Sequence, residues 1–309
     1  MNAPTAFLPP RDFARSPEAL ARVWSRPESE AYTRWLAAGH YENFHVVSFL
    51  LPRRLHQDFF NLYAFCRWAD DLGDEIGDPA ESLRLLDWWR GELEAMYRGA
   101  TTHPVFVALR ETAVRHNLAA APFQDLIRAF VQDQTVTRYD SWEDLYAYCR
   151  WSANPVGRLV LHLCGHADAE RQRLADATCT ALQFANFWQD VPVDLDKGRL
   201  YLPLELLRKH GCDEEDVLRR RATPAFRAAL KEAVQVARGL FHQGLPLARM
   251  VDWRLGVDIG LFSRGGMRVL DKIERQGFDV FSGRPSISSS ERAWLLVATM
   301  ARMAFSRAV

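Results

Sequence analysis

Two pairs of aspartates, each spaced by four residues, carry the clearest chemical signal in this 309-residue chain. Asp70 and Asp74 lie in Tyr63-Ala64-Phe65-Cys66-Arg67-Trp68-Ala69-Asp70-Asp71-Leu72-Gly73-Asp74-Glu75. Asp190 and Asp194 lie in Gln183-Phe184-Ala185-Asn186-Phe187-Trp188-Gln189-Asp190-Val191-Pro192-Val193-Asp194. On a helix, residues i and i+4 share a face with Cβ atoms about 5–6 Å apart, so each pair aims two carboxylates in one direction. Like charges so placed repel, and a hard divalent cation with oxygen ligands relieves the repulsion most simply. Gln183 and Asn186 extend the second pair along one helical face at i, i+3, i+7 and i+11. A polar ladder interleaved with Phe184, Phe187 and Trp188 suits neither a core stripe nor a solvated face. The bland alternative is a buried network in which every polar group finds a partner.

The first cluster has bland readings too. Acidic residues are usually solvated surface, but acids are unfavourable at the C-terminus of a helix, where Gly73 and Gly77 are expected to loosen this one. A calcium loop starting at Asp70 fails, because Leu72 stands where a ligand is needed and Glu75 replaces the turn glycine. Arg53, Arg54 and Arg67 precede the first cluster, and Lys197 and Arg199 follow the second. A lone arginine is ordinarily a surface ion pair. Carboxylates that hold Mg²⁺, with arginine or lysine to neutralise the remaining charge, together make a diphosphate site. A third element, Tyr148 to Leu159, carries Asn154-Pro155 and Gly157, which interrupt helical regularity and so suit a cavity wall. Tyr148 either turns its hydroxyl into that cavity or sits as an amphipathic ring at the core edge.

The elements that must position these groups read as helices from end to end. Ser16-Pro17, Leu51-Pro52-Arg53 and Thr223-Pro224 place proline at helix starts, Ser141 to Asp144 resembles a capping box, and Gly99, Gly165 and Gly211 mark stops. Short loops favour a single bundle. Residues 1–15 are expected to fray and the Ser-rich stretch 282–290 to form a surface loop. Lysine plus arginine and aspartate plus glutamate both number 39, so no global field recruits nucleic acid or an anionic surface. Five cysteines without a CxxC pair point to a reducing, cytoplasmic setting. No signal peptide is visible, and Ala293 to Phe305, broken by Arg302, is too short to span a bilayer. It reads as a core helix, with peripheral membrane contact as the alternative.

With these residues in hand, the chain resembles the squalene and phytoene synthase family of head-to-head prenyl-transferring enzymes over roughly residues 30–300. The motifs that carry the resemblance are Tyr63 to Asp74, then Gln183, Asn186, Asp190 and Asp194, then Gly198-Arg199-Leu200-Tyr201-Leu202-Pro203. The resemblance implies an all-α, single-domain terpenoid synthase bundle with a central hydrophobic cavity, spanning 16–309 behind a flexible 1–15. It implies Mg²⁺ held by Asp70, Asp74, Asn186, Asp190 and Asp194, with a prenyl diphosphate as the small-molecule substrate. Substrate would meet Arg67, Asn43, Phe44, Gln183, Asn186, Arg199 and Tyr201, and the catalytic set would be Tyr148, Asp70, Asp74 and Asp190. Within the family, Glu42 to Ser48 and Ser152 to Arg158 are similar to bacterial hydroxysqualene synthases of the hopanoid pathway, which implies presqualene diphosphate plus water giving hydroxysqualene plus diphosphate. Squalene, phytoene or presqualene diphosphate synthesis is the alternative, and a silent prenyl-binding subunit a second. The resemblance allows contact with the inner face of a membrane and association with a presqualene diphosphate synthase; it implies no nucleic acid.

Three features stay open at this level. Pro192, inside the second motif, removes the backbone bond to Trp188 and is expected to bend the helix, which makes Asp190 a safer ligand than Asp194. Phe44, Phe65, Phe184, Phe187 and Trp188 either line the cavity, where ring faces stabilise a cation, or pack the core. Tyr148, Asn154 and Ser152 are the candidates to position an attacking water.

Overall fold

A computed structural model describes residues 7–39 and 50–305. Among these residues the regular structure is helical, with one isolated bridge between Arg138 and Leu200. The expected all-α single-domain class holds, and within it the contacts gather the chain into two compact units: Met1–Thr135 with Leu159–Gly165, and Val136–Arg158 with His166–Val309.

The first unit contains α1 (Pro10–Phe13), α2 (Pro17–Ala21), α3 (Arg26–Gly39), α4 (Arg53–Asp74), α5 (Pro79–Arg98), α6 (Pro104–His116) and α7 (Ala121–Gln132). Its centre is aromatic because Phe65 and Trp68 of α4, Trp89 of α5, Phe106 of α6 and Phe123 of α7 all point inward and are fully buried. Trp68 and Trp89 stack 4.9 Å apart with ring planes 6° from parallel. His103 stands edge-on to both, at 4.6 and 5.1 Å. Each such ring contributes roughly 1.5–3 kcal/mol by leaving water. Beside this apolar centre, Asp58 of α4 is buried yet satisfied by Thr112 (2.8 Å), Arg115 (2.9 Å) and His116 (3.1 Å) of α6. Asn61, one turn on, accepts from Thr33 of α3 (2.8 Å) and donates to the Ala108 carbonyl (3.1 Å). A filled polar network of this kind fixes the mutual register of α3, α4 and α6.

Three expectations change here. Residues 7–15 are docked, because Phe13 is buried, Phe7 packs on Tyr32 (5.5 Å), and the Tyr32 hydroxyl donates to the Leu8 carbonyl (2.9 Å) while accepting from the Trp68 indole (3.1 Å). Gly73 does not loosen α4, which continues to Asp74; a Cβ there would lie 3.3 Å from Phe130, so the glycine serves close packing on α7. Pro52 precedes the first residue of α4 as its N-cap. Asp78 is the N-cap of α5, accepting from the Ala80 and Glu81 N–H groups.

The second unit contains α8 (Trp142–Ser152), the start of α9 (Asn154–Leu163), α10 (Ala169–Gln189), α11 (Val191–Asp196), α12 (Leu204–Lys209), α13 (Glu214–Leu218), α14 (Pro224–Gly244), α15 (Leu247–Met250), α16 (Trp253–Arg275) and α17 (Ser289–Phe305). Its axis is α10 against α14. Buried alanines at 177, 181 and 185 on one helix and at 229, 233 and 237 on the other let the two approach closely. Ser141 and Asp144 form the expected capping box on α8, and Thr223 caps α14.

Candidate active site

Each acidic motif is built within its own unit. On α4, Arg67 sits one turn before the aspartates and pairs with the buried Asp71, while Asp70 lies 3.6 Å from the same guanidinium and keeps 45% of its side chain exposed. The motif thus divides its labour: Asp71 holds Arg67 in place, and Asp70 turns outward. Asp74 is the last residue of the helix, half-buried. Arg67, expected to meet substrate, spends its charge on carboxylates of its own helix.

On α10, Gln183 and Asp190 are half-buried and Asn186 is exposed, so the polar ladder faces outward while Phe184, Phe187 and Trp188 face inward. The helix stops at Asp190, whose φ of −104° and ψ of 14° leave the helical range, and α11 restarts with Pro192 in its first turn. The expected bend is therefore a break, placed where proline needs no backbone donor. Two bonds cross it: Asp190 N–H donates to the Asn186 carbonyl (2.8 Å), and Asp194 N–H to the Asp190 carbonyl (2.8 Å). Asp194, half-buried, thereby stays one turn after Asp190 on a separate helix. Its carbonyl accepts from Lys197 (3.0 Å) and Arg199 (2.8 Å) across a turn in which Gly198 takes φ +73°, a conformation that costs a side chain about 1–2 kcal/mol.

Beyond that turn the chain runs extended beside residues 137–139. Leu200 N–H donates to the Thr137 carbonyl (2.9 Å), Leu204 N–H to the Tyr139 carbonyl (2.9 Å), and Arg138 donates to the Gly198 carbonyl (2.7 Å). This brings Tyr201 flat onto Phe187, 3.7 Å apart with planes 6° from parallel. Tyr148 closes the cluster, 5.4 Å from Tyr139, 5.9 Å from Tyr201 and 6.2 Å from Phe187. All four rings are buried.

A family model for squalene/phytoene synthases matches residues 37–291, across both units. The chain belongs to the squalene/phytoene synthase family. Family members act on prenyl diphosphates, and the order of motifs is the one expected of such an enzyme. A phytoene synthase of Thermus thermophilus is 31% identical over 87% of this chain and 91% of its own length. A hydroxysqualene synthase of Rhodopseudomonas palustris is 33% identical over 75% of this chain and 80% of its own. Among solved structures, squalene synthase HpnC from Alicyclobacillus acidocaldarius is 43% identical, covering 86% of this chain and 98% of that one with a TM-score of 0.78. A dehydrosqualene synthase bound to a ligand, 22% identical with a TM-score of 0.81, shares the all-α terpenoid synthase fold.

For this family member, the structure brings Tyr148, Phe187 and Tyr201 together and places Asn186, Asp190 and Asp194 on consecutive turns. Asn43 and Phe44 lie outside the described residues. Phe65, Phe184 and Trp188 belong to the core: Phe65 packs among Trp89, Phe106 and Phe123, Phe184 lies 5.3 Å from Tyr146, and the Trp188 indole donates to the Ala233 carbonyl. Of the three polar candidates near Tyr148, the Asn154 amide oxygen is taken by Thr180 (2.9 Å), whereas the buried Ser152 hydroxyl has no partner among the described residues. Ser152 follows Tyr148 by one turn of α8, on the same face.

Sequence reasoning missed Tyr139, Arg138 and Arg284. Arg284, from the loop before α17, grips Asp190 with two bonds, Nε to Oδ1 at 2.5 Å and Nη2 to Oδ2 at 3.0 Å. Gln189 donates to the Pro285 carbonyl beside it. The signal available in sequence was a cation inside an otherwise neutral serine-rich loop. Nothing local announces its partner.

The residues fit a hard divalent cation. Their donors are all oxygen, and Asp190 already carries a cation, the Arg284 guanidinium. Among the described residues no three histidine, cysteine or acidic side chains gather into a metal cage of their own. Mg²⁺ is suited to such sites, since it binds through one or two carboxylates and completes its shell with water and phosphate oxygens.

Proposed function

We propose that this protein is a hydroxysqualene synthase, converting presqualene diphosphate and water to hydroxysqualene and diphosphate. The observation that carries the choice of product is the 33% identity to hydroxysqualene synthases of two bacteria, over 75% and 72% of this chain; the 43% identity to HpnC, a squalene synthase, supports a squalene-type product over phytoene. Phytoene synthases match at 31% and below, over a longer span of 87% and 88% of this chain, and supply the second reading, head-to-head transfer between two prenyl diphosphates.

In this reading Asn186, Asp190 and Asp194 of the second unit would hold Mg²⁺, as would Asp70 and Asp74 of the first, and the ion when bound acts as a Lewis acid toward the leaving diphosphate. Lys197 and Arg199, fixed by the Gly198 turn, neutralise charge left on the departing oxygens. Tyr148, Phe187, Tyr201 and Tyr139 form a wall that excludes bulk water and offers ring faces to a carbocation, each worth about 0.5–2 kcal/mol. Ser152, one turn from Tyr148, brings a hydroxyl with no partner among the described residues, which in this reading holds one water. Asn154, committed to Thr180, is a scaffold residue.

The test is incubation with presqualene diphosphate, farnesyl diphosphate or geranylgeranyl diphosphate, each with and without NADPH, in ¹⁸O-labelled water. Hydroxysqualene bearing the label, formed from presqualene diphosphate without NADPH, is the expected outcome. Phytoene from geranylgeranyl diphosphate would select the second reading, and no conversion of any substrate would leave a non-catalytic prenyl-binding subunit.

A further inference from the structure

Helix α11 has little of its own to hold it. Its six residues are too few for a helix to persist on backbone bonds alone, and between Val191 and Leu200 no residue is buried. Its setting is therefore made by polar holds from outside. At its start Arg284 grips Asp190. Toward its end two further arginines reach it, and both lean on α13. Arg138 donates to the Gly198 carbonyl (2.7 Å) and to Glu214 (2.6 Å), the first residue of α13. Arg220, just past the end of α13, donates to the Pro192 carbonyl (3.3 Å) and pairs with Asp196, the last residue of α11. Buried Val217 and Cys212 seat α13 itself.

Arg220 adopts an uncommon backbone to make these contacts. Its N–H donates to the Val217 carbonyl (2.9 Å) and the Arg221 N–H to the Asp216 carbonyl (2.8 Å), the two bonds that close a helix through a left-handed residue. Its φ is +55°, where glycine is the ordinary occupant and a β-carbon is disfavoured. Other helix ends keep to that preference, with Gly99 closing α5 and Asn117 closing α6. Burial does not explain an arginine at 220, because 45% of its side chain is exposed. Its two bonds to α11 do.

We propose that Arg220 is a positioning residue: from its base on α13 it fixes α11 and the Gly198 turn, and so sets Asp194, Lys197 and Arg199 for the anionic head of the substrate. Service to a diphosphate rests on the function proposed above, whereas the hold on α11 stands on these bonds alone. The alternative is a surface ion pair with no such role, and an exposed pair ordinarily adds little to stability. Strain kept at a non-glycine position for so small a return favours the positioning role.

Arg220→Gly separates the two, because glycine suits φ +55° and leaves α13 closed. Hydrogen exchange in the metal-free protein reads the N–H groups of Asp194, Lys197, Gly198 and Arg199, all of which donate within α11 and its turn. These are expected to exchange at least about threefold faster in Arg220→Gly and in Asp196→Asn, with the double variant no faster than Arg220→Gly. The melting temperature of Arg220→Gly should be unchanged or higher, which loss of a purely stabilising pair would not produce. Calorimetry with inorganic diphosphate and Mg²⁺ should show Kd raised at least about threefold in the same variant. Unchanged exchange, faster exchange with a lowered melting temperature, or undiminished diphosphate affinity beside a wild type that binds would each overturn the proposal. A wild type that binds no diphosphate would fail the function proposed above instead, and exchange alone would then decide whether Arg220 holds α11.

Discussion

At the scale of single residues, Asp190 joins most of the site together, since it ends α10, begins α11 and holds Arg284. Asp190→Asn keeps the shape and removes the charge. Turnover is expected to fall by at least about 10³, several kcal/mol at roughly 1.4 kcal/mol per decade, with little change in melting temperature. Near-normal turnover in a steady-state assay would remove Asp190 from the metal set. Ser152→Ala addresses the water instead. Consumption of presqualene diphosphate should persist while the hydroxylated share of product falls about tenfold, the scale of one lost hydrogen bond; an unchanged product profile would make Ser152 a wall residue. Local patterning made the aspartates legible, because a four-residue spacing fixes their shared face on any helix. Arg284 was not legible, because its partner is chosen by a loop that closes over 94 positions of sequence.

Among elements, the Gly198 turn decides where Arg199 and Tyr201 point. Gly198→Ala forces a β-carbon into φ +73° and should cost about 1–2 kcal/mol of stability. It should also raise KM, because Arg199 and Tyr201 sit immediately downstream; an unchanged KM would show that the turn only connects. Helix ends were readable in advance wherever a side chain caps its own helix, as at Ser16, Ser141 and Thr223. The break at Asp190 was half readable, since Pro192 announced a distortion but tertiary bonds settled it as a restart. The extended pairing of 137–139 with 200–204 was invisible, as it satisfies backbone groups between segments that carry no strand pattern.

For the molecule as a whole, pH and metal supply the clearest tests. Burial among Trp68, Trp89 and Phe106 lowers the pKa of His103 from 6.5 to about 3. Between those values the unfolded chain binds the extra proton, so this contribution to stability is complete above about 6.5 and declines as pH falls, at up to roughly 1.4 kcal/mol per pH unit. Urea titrations from pH 7 to pH 4 should show that slope, and His103→Phe should flatten it; an equal slope in the variant would place the dependence elsewhere. Excess EDTA should silence turnover without altering the circular dichroism spectrum, whereas activity that persists would end the Mg²⁺ assignment. The helical class was evident from composition and periodicity, but the grouping of the chain into two units was not, because α9 contributes residues to both. That grouping sets an order on synthesis. Leu159, Leu161 and Leu163 are buried parts of the first unit, so a nascent chain that has emerged only as far as Thr135 still lacks a piece of its own interior. The N-terminal unit must wait on the ribosome until Leu159–Gly165 has emerged before it can close, and a fragment ending at Thr135 should remain open and prone to capture by chaperones.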